Sequence, residues 1–209
     1  VFQKIDVSLL VLCGSVASGK RKLAKILCEM FPSLIHIEVG ERLRDIAKTK
    51  TGIGQIIADH QLRGQHVPDT IVFEALRGII AQANRPVILD GFPRTEGQAR
   101  VFATLKRPWY GVCIERDADF CRRLLQQRID SCQLSGQPLR ADDNMSTFNV
   151  RIGKYPTERN AFVRAVTLCG APVYYTRHNV PELNAEVPYL VNHLDEFFDK
   201  IPRVARRVG

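Results

Sequence analysis

The run Val87-Ile88-Leu89-Asp90-Gly91-Phe92-Pro93-Arg94 puts a carboxylate and a guanidinium one tight turn apart. An apolar β-forming stretch ends in an acid, turns on glycine and proline, and then presents an arginine. Both side chains thereby stand at the carboxyl end of a buried strand, where open α/β sheets bind ligands. A carboxylate there can hold the water shell of a magnesium ion, and an arginine can fork onto a phosphate. A second segment, Gly14-Ser15-Val16-Ala17-Ser18-Gly19-Lys20, satisfies GxxxxGK between an apolar run and a helical stripe, the context that a phosphate-binding loop requires. Its successive backbone N–H groups and the following helix N-terminus make a concave anion site, and Lys20 adds a mobile positive charge. The chemistry implied is that of phosphate groups.

The elements that must position these residues follow from periodicity. Ser8–Cys13 is apolar on both faces and reads as a buried strand. Leu23, Ile26, Leu27 and Met30 form a helical stripe over 21–31, and Leu34–Ile37 reads as the next strand. The order strand, glycine loop, helix, strand opens a parallel sheet. The stretch Gly40–Val67 is helical and more polar, with breaks at Gly52, Gly64 and Pro68, and is expected to be an insert outside the sheet. A helix over 70–83, strands over 87–89 and 110–115, and a helix over 118–128 come next. Ser131–Asn144 reads as a loop. Met145–Leu168 is helical, with Pro156 expected to kink or restart it. A fifth strand over 172–176 and a closing helix over 185–198 complete the alternation, which is that of a doubly wound α/β sheet with two inserts.

Composition narrows the partners. The 209 residues suit one domain, and the formal charge of +8 calls for an anionic partner. No basic stripe interleaved with aromatics and no nucleic-acid-reading module accompanies that charge, so a cleft holding several phosphates is favoured over nucleic acid. The six cysteines show no CxxC pair, which predicts reduced, mostly buried thiols. No apolar stretch has the length of a signal peptide or a membrane span, and a cytoplasmic or organellar-matrix location is expected. The missing initiator methionine suggests processing or a piece of a longer polypeptide. The five histidines lack metal-ligand spacing and are given no role. Trp109 is expected at the edge of the sheet, and Arg203–Arg207 as a frayed, solvated end.

The segment from Val87 through Gln98 resembles, residue for residue, the signature of the adenylate kinase family, the nucleoside monophosphate kinases. With the loop upstream, the resemblance extends from Leu9 to about Phe198. It implies a three-layer P-loop NTPase fold with a central parallel sheet of about five strands, a helical NMP-binding insert over 38–68 and a short lid over 129–144. The core would comprise 1–37, 69–128 and 145–209 of a single domain spanning the chain. The implied reaction is ATP plus AMP to two ADP, reversible and Mg2+-dependent, in a monomer without nucleic-acid or membrane partners.

By the same resemblance, Gly14, Ser15, Val16, Ala17, Ser18, Gly19, Lys20, Arg21, Lys22 and Arg128 would hold ATP. Lys20 would span its β and γ phosphates, and Asp90 would orient the magnesium shell through water. Val39, Gly40, Arg44, Val67, Gly91, Arg94, Gln98, Arg140 and Arg151 would hold the acceptor. Within that set Arg44 and Arg94 would clamp the monophosphate, and Gln98 would bond the base. Lys20, Arg94, Arg128, Arg140 and Arg151 would carry catalysis. On residue type alone, the arginines at 128, 140 and 151 beside Asp142 and Asp143 would read as solvated helix surface. Charge spreading over the equatorial oxygens of a transferring phosphoryl group is what gives them a use. The lid carries only Cys132 and resembles the short form without zinc. Thr176–Ala185 would pass over the ATP adenine.

This chain departs from the family pattern in ways that carry physical consequences. Arg21 and Lys22 stand where the family has Gly-Thr, so no hydroxyl remains near the phosphates there. Ala17 stands where glycine tolerates unusual dihedrals. The two extra cations can strengthen nucleotide binding while misplacing the phosphates, and about 1 Å of misplacement costs about a hundredfold in rate. Val39 replaces a base-contacting threonine. Two alternatives to an AMP kinase therefore stay open: a nucleotide-binding module with impaired catalysis, favoured by Arg21 and Lys22, and a kinase for UMP, CMP or another monophosphate, favoured by Val39.

Overall fold

In a computed structural model, which describes residues 8–49, 51–104, 108–199 and 201, the apolar run after Ser8 forms β1 (Leu9–Gly14). It is followed by α1 (Lys20–Met30), β2 (Ile35–Glu38), α2 (Val39–Ala47), α3 (Gly52–Leu62), α4 (Asp69–Gln82) and β3 (Val87–Asp90). Then come α5 (Glu96–Ala103), β4 (Trp109–Ile114), α6 (Ala118–Ser135), α7 (Met145–Cys169), β5 (Val173–Tyr175), α8 (Val187–His193) and α9 (Asp195–Phe198). The five strands form one sheet in the order β2-β3-β1-β4-β5, parallel at every pairing. The chain first winds to one side of β1 and then crosses to the other. The carboxyl end of β1 is therefore the switch point, where doubly wound sheets open a ligand crevice.

Strands β3 and β4 are buried at every residue, which is why both read as apolar runs up to Asp90 at the end of β3. Helices cover both faces, as expected for a three-layer α/β protein. Leu9, Val11 and Cys13 share a core with Leu76, Phe102, Phe162 and Val166, from α4, α5 and α7. Leu10 and Leu12 meet Leu23 and Leu27 of α1 with Phe197 and Phe198 of α9. Full burial of each such side chain contributes about 1.5–3 kcal/mol. A smaller cluster of Cys121, Leu125 and Phe148 lies under Val16 and Ala17, so the loop after β1 rests on α6 and α7. Val39, Leu43, Ile57 and Val67, from the segment expected as an insert, belong to the first core.

Several elements differ from expectation for identifiable reasons. The helix expected to end at Arg128 continues to Ser135 and stops where Gly136 adopts a left-handed φ of 67°, a common helix C-cap. Helix α7 continues through Pro156 rather than restarting, with buried Phe148 before the proline and Ala161, Phe162, Ala165 and Val166 after it holding both parts to the protein. The single closing helix is instead a 3-10 turn at Leu183–Glu186, α8 and α9. Pro188 stands in the first turn of α8, where its missing N–H costs nothing. Helix α5, not anticipated, is capped by Thr95, whose Oγ1 accepts from the Gln98 N–H at 3.0 Å. Trp109 is not at the sheet edge: it opens β4, an interior strand, and meets Phe102 edge-on at 4.8 Å. Arg203–Arg207 lies outside the described residues.

Candidate functional site

Strand β1 ends at Gly14 and α1 begins at Lys20, and the loop between them folds back on itself. Ser18 N–H donates to the Ser15 carbonyl at 3.2 Å. A Cβ on Gly14 would lie 2.5 Å from Ser18 Oγ, so this close return needs glycine. Ser15 is buried, with its hydroxyl 3.0 Å from Cys121 Sγ. Ser18 is fully buried, and its Oγ finds no hydrogen-bond partner among the described residues. Lys20 Nζ donates to the carbonyls of Gly14 and Ser15, each at 2.8 Å. Ala17 has φ of 59°, the left-handed conformation that costs a residue with a Cβ about 1–2 kcal/mol. Ala17→Gly should therefore raise the melting temperature by about 2–4 °C, and calorimetry showing no change or a fall would refute strain at this position.

Asp90 closes β3 beside this loop and is nearly buried. Burial alone would push its carboxyl up, but His36, Lys20 and Arg94 together hold it below the usual carboxylate range. His36 Nε2 stands 3.7 Å from Asp90 Oδ2, without a hydrogen-bond partner among the described residues. Gly91 follows with φ of 82°, and the Phe92–Pro93 peptide is cis. Arg94 Nε donates to the Gly91 carbonyl at 2.8 Å. The same turn clamps Gln98: its Oε1 accepts from Arg94 N–H at 2.8 Å, and its Nε2 donates to Asp69 Oδ1 at 2.8 Å. Thr95 Oγ1 donates to the second oxygen of Asp69 at 2.9 Å. Gln98 is thus buried and fixed, with one lone pair and one N–H left to offer.

Across the crevice, Arg44 of α2 donates to Glu38 Oε1 at 2.6 Å, and Arg140 NH1 lies 3.5 Å from the same oxygen. Arg128 of α6 pairs with Asp143, and Arg151 of α7 pairs with Asp142 at 2.7 Å. Asn144 caps α7, the helix that carries Arg151, by accepting from Thr147 N–H at 2.9 Å. The four arginines with Glu38, Asp142 and Asp143 line one cleft of about 500 Å³, with Val16 to Lys22, Val39, Gly40, Val67, Asp90, Gly91, Arg94 and Gln98. Of the residues singled out from sequence, Gly14 and Ser15 lie behind its wall, Gly14 lending only its carbonyl to Lys20.

Burial in the cleft penalises charge of both signs, pushing the Asp143 carboxyl up and several cations down. Burial pushes the Lys20 ammonium down despite Asp90 nearby. It also pushes down Arg128, against the pull of Asp143. Arg151 is pushed down to about 10, first by burial and then by the neighbouring Arg94. Three cations whose charge the surroundings penalise, in one cleft, mark a site stabilised by incoming negative charge.

The adenylate kinase family model matches residues 12–167. Among relatives, an adenylate kinase of Porphyromonas gingivalis is 30% identical over 171 residues, covering 80% of this chain and 81% of its own length. An adenylate kinase of Bartonella henselae is 30% identical over 70% of this chain and 79% of its own. One of Parabacteroides distasonis is 29% identical over 71% and 78%. The chain belongs to the adenylate kinase family. It is accordingly a nucleotide- and ATP-binding phosphotransferase that acts on a nucleoside monophosphate, built on the P-loop NTPase fold.

Against that family background, the two cations expected to reach for nucleotide are otherwise engaged. Arg21 contacts Glu38 and Glu41, each at 3.2 Å, and Lys22 contacts Glu182 at 2.8 Å. Lys22 thereby ties α1 to the segment Thr176–Ala185, which runs beside the loop: a Cβ on Gly19 would lie 2.8 Å from Leu183 Cδ1. In that segment the Val180 carbonyl accepts from Arg116 NH2 at 2.6 Å. Sequence reasoning missed Glu38, Asp69 and His36. Glu38 and His36 lie in the short apolar-polar alternation of β2, where an inward polar residue was the available signal. Asp69 left none, since its partners lie 26 and 29 residues away.

Proposed function

We propose that this adenylate kinase family member transfers the γ-phosphoryl group of ATP to AMP, reversibly, giving two ADP. The observation that carries the reading is the single cleft in which the P-loop, the Asp90–Arg94 turn and arginines from four further segments meet, with cations that burial penalises. Little covalent work is needed in phosphoryl transfer, so positioning and charge stabilisation supply the rate. Gly14 to Lys22 and Arg128 would bind ATP, with Lys20 leaving its two carbonyl partners for the β and γ phosphates. Arg44 and Arg94 would clamp the acceptor phosphate, while Arg140 and Arg151 meet the transferring group. Val39, Gly40, Val67 and Gly91 would shape the acceptor pocket. Gln98, held by Asp69 and the Arg94 backbone, presents one donor and one acceptor, which suits the adenine edge.

The donor set fits a magnesium ion that keeps much of its water. Asp90 offers a buried carboxylate held ionised, and the described residues contain no cluster of three or more His, Cys, Asp or Glu able to hold a metal. An ion here would take most ligands from water and phosphate, as magnesium does. Asp90 would hold it through water, and the bound ion would neutralise charge developing on the phosphates.

The segments 38–68 and 129–144 would act as hinged lids that assemble the site while excluding water, on a core of 1–37, 69–128 and 145–209. A monomer acting in the cytoplasm on free nucleotides completes the reading, without nucleic acid or membrane. Among the described residues no helix is long and apolar enough to cross a membrane.

The test is ADP formation from ATP and, in turn, AMP, CMP, UMP and GMP, with magnesium and then with excess EDTA. AMP should give the highest kcat/KM, and EDTA should remove at least about 99% of turnover. Preference for UMP or CMP would transfer the reading to a pyrimidine acceptor. No turnover with any acceptor, in protein that binds ATP, would leave a nucleotide-binding module.

A further inference from the structure

Glu38, the last residue of β2, is a cleft carboxylate that pairs with arginines from three separate segments. Its side chain is only 10% exposed, yet it meets Arg44 from α2 at 2.6 Å, Arg21 from α1 at 3.2 Å and Arg140 from the loop before α7 at 3.5 Å. Asp142 and Asp143 differ in that each is ion-paired to one arginine, Arg151 and Arg128 respectively. Two of the three arginines on Glu38 are groups assigned above to the acceptor phosphate and the transferring group. A carboxylate that gathers guanidinium groups stands in the chemical role of a phosphate. Arg21 completes the cluster from the position directly after Lys20, and its second partner, Glu41, anchors it to α2.

We propose that Glu38 is an internal competitor for the acceptor phosphate and thereby a specificity-determining residue. Its carboxylate offsets part of the charge of Arg44, Arg140 and Arg21 and keeps them gathered. An arriving monophosphate must draw Arg44 and Arg140 away from it and tolerate its charge nearby. The expected consequence is a raised acceptor KM, in proportion to the acceptor's negative charge. This inference rests on the acceptor site proposed above.

The experiment is calorimetric titration of the full chain and of its Glu38→Gln and Glu38→Asp variants with AMP, adenosine and ATP, followed by steady-state kinetics. Glu38→Gln should bind AMP about tenfold more tightly, since one like-charge contact is removed. Adenosine, which lacks the phosphate, should bind all three proteins equally. The KM for AMP should fall with Glu38→Gln by more than kcat changes, and Glu38→Asp, shorter but still charged, should stay near the parent. A purely structural Glu38 would shift AMP and adenosine together, and that result overturns the proposal. So does parent-like or weaker AMP binding by a folded Glu38→Gln protein when the parent binds AMP. Should Glu38→Gln fail to fold, Glu38→Ser gives the same two-ligand comparison. Absence of AMP binding to the parent itself overturns the acceptor site, and this inference with it.

Discussion

Replacing Lys20 by methionine should lower kcat by about a thousandfold while leaving the ligand-free protein at least as stable as the parent. The first part follows from position. Lys20 is the cation at the loop's return to helix α1, hydrogen-bonded to the Gly14 and Ser15 carbonyls, which on the proposed reading it would exchange for phosphate oxygens. Removing a preorganised charge aimed at a developing anion costs about 10²–10³ in rate. The second part follows from the direction of its titration. Burial pushes the ammonium below its ordinary value of 10.5, so at neutral pH the folded state carries a charge that its surroundings penalise. Methionine keeps most of the stem and removes that penalty, at the loss of two hydrogen bonds. The sign with pH is also determined. Between the depressed folded value and 10.5 the unfolded chain binds more protons, so the parent gains stability on the methionine variant as pH rises through that window. Single-turnover kinetics and melting curves at several pH values check both parts. A variant with parent-like kcat would remove Lys20 from the phosphates.

Arg151→Ala should cost about a thousandfold in kcat, and Arg151→Lys should recover little of it. The guanidinium is enclosed, pushed down to about 10 by burial and by Arg94, and held by Asp142 at 2.7 Å. An arginine delivered to a transferring phosphoryl group contributes about 10³ or more in rate. Lysine provides the charge but not the planar fork that can keep Asp142 on one edge and face phosphate with the other. Alanine also strands Asp142, which is mostly buried, and an uncompensated buried charge destabilises by about 3 kcal/mol or more. The two effects separate in the Arg151→Ala/Asp142→Asn double variant, where melting temperature should recover and kcat should not. Recovery of both would reduce Arg151 to a scaffold residue, and full activity of Arg151→Lys would end the argument for a forked contact.

Much of the architecture was legible because it rests on local patterns. Apolar runs such as Leu9–Leu12 and Val87–Leu89 mark strands covered on both faces, and this sheet is parallel and helix-clad. The GxxxxGK loop and the acid ending β3 were readable since backbone geometry at the end of a strand depends on a few adjacent residues. Ala17 illustrates the same point: its substitution for glycine forecast an unusual dihedral, found at φ of 59°. Helix lengths were less legible. α6 passes Arg128 as exposed surface until Gly136 ends it, and exposed turns carry no apolar period to read.

The sequence by itself determined the α/β class, the GxxxxGK loop between strand and helix, and the set of arginines that the cleft could draw on. Only the tertiary structure decided which acids those arginines hold. Arg21 and Lys22 looked like spare cations, yet they are spent on Glu38, Glu41 and Glu182. Gln98 looked like a free base reader, yet Asp69 from the start of α4 clamps it. Glu38 had no visible partner, yet three segments bring arginines to it. The physical reason is common to all. An ion pair or side-chain hydrogen bond between distant segments depends on strand order and helix direction. No local periodicity records which of the chain's 30 basic and 22 acidic residues will meet.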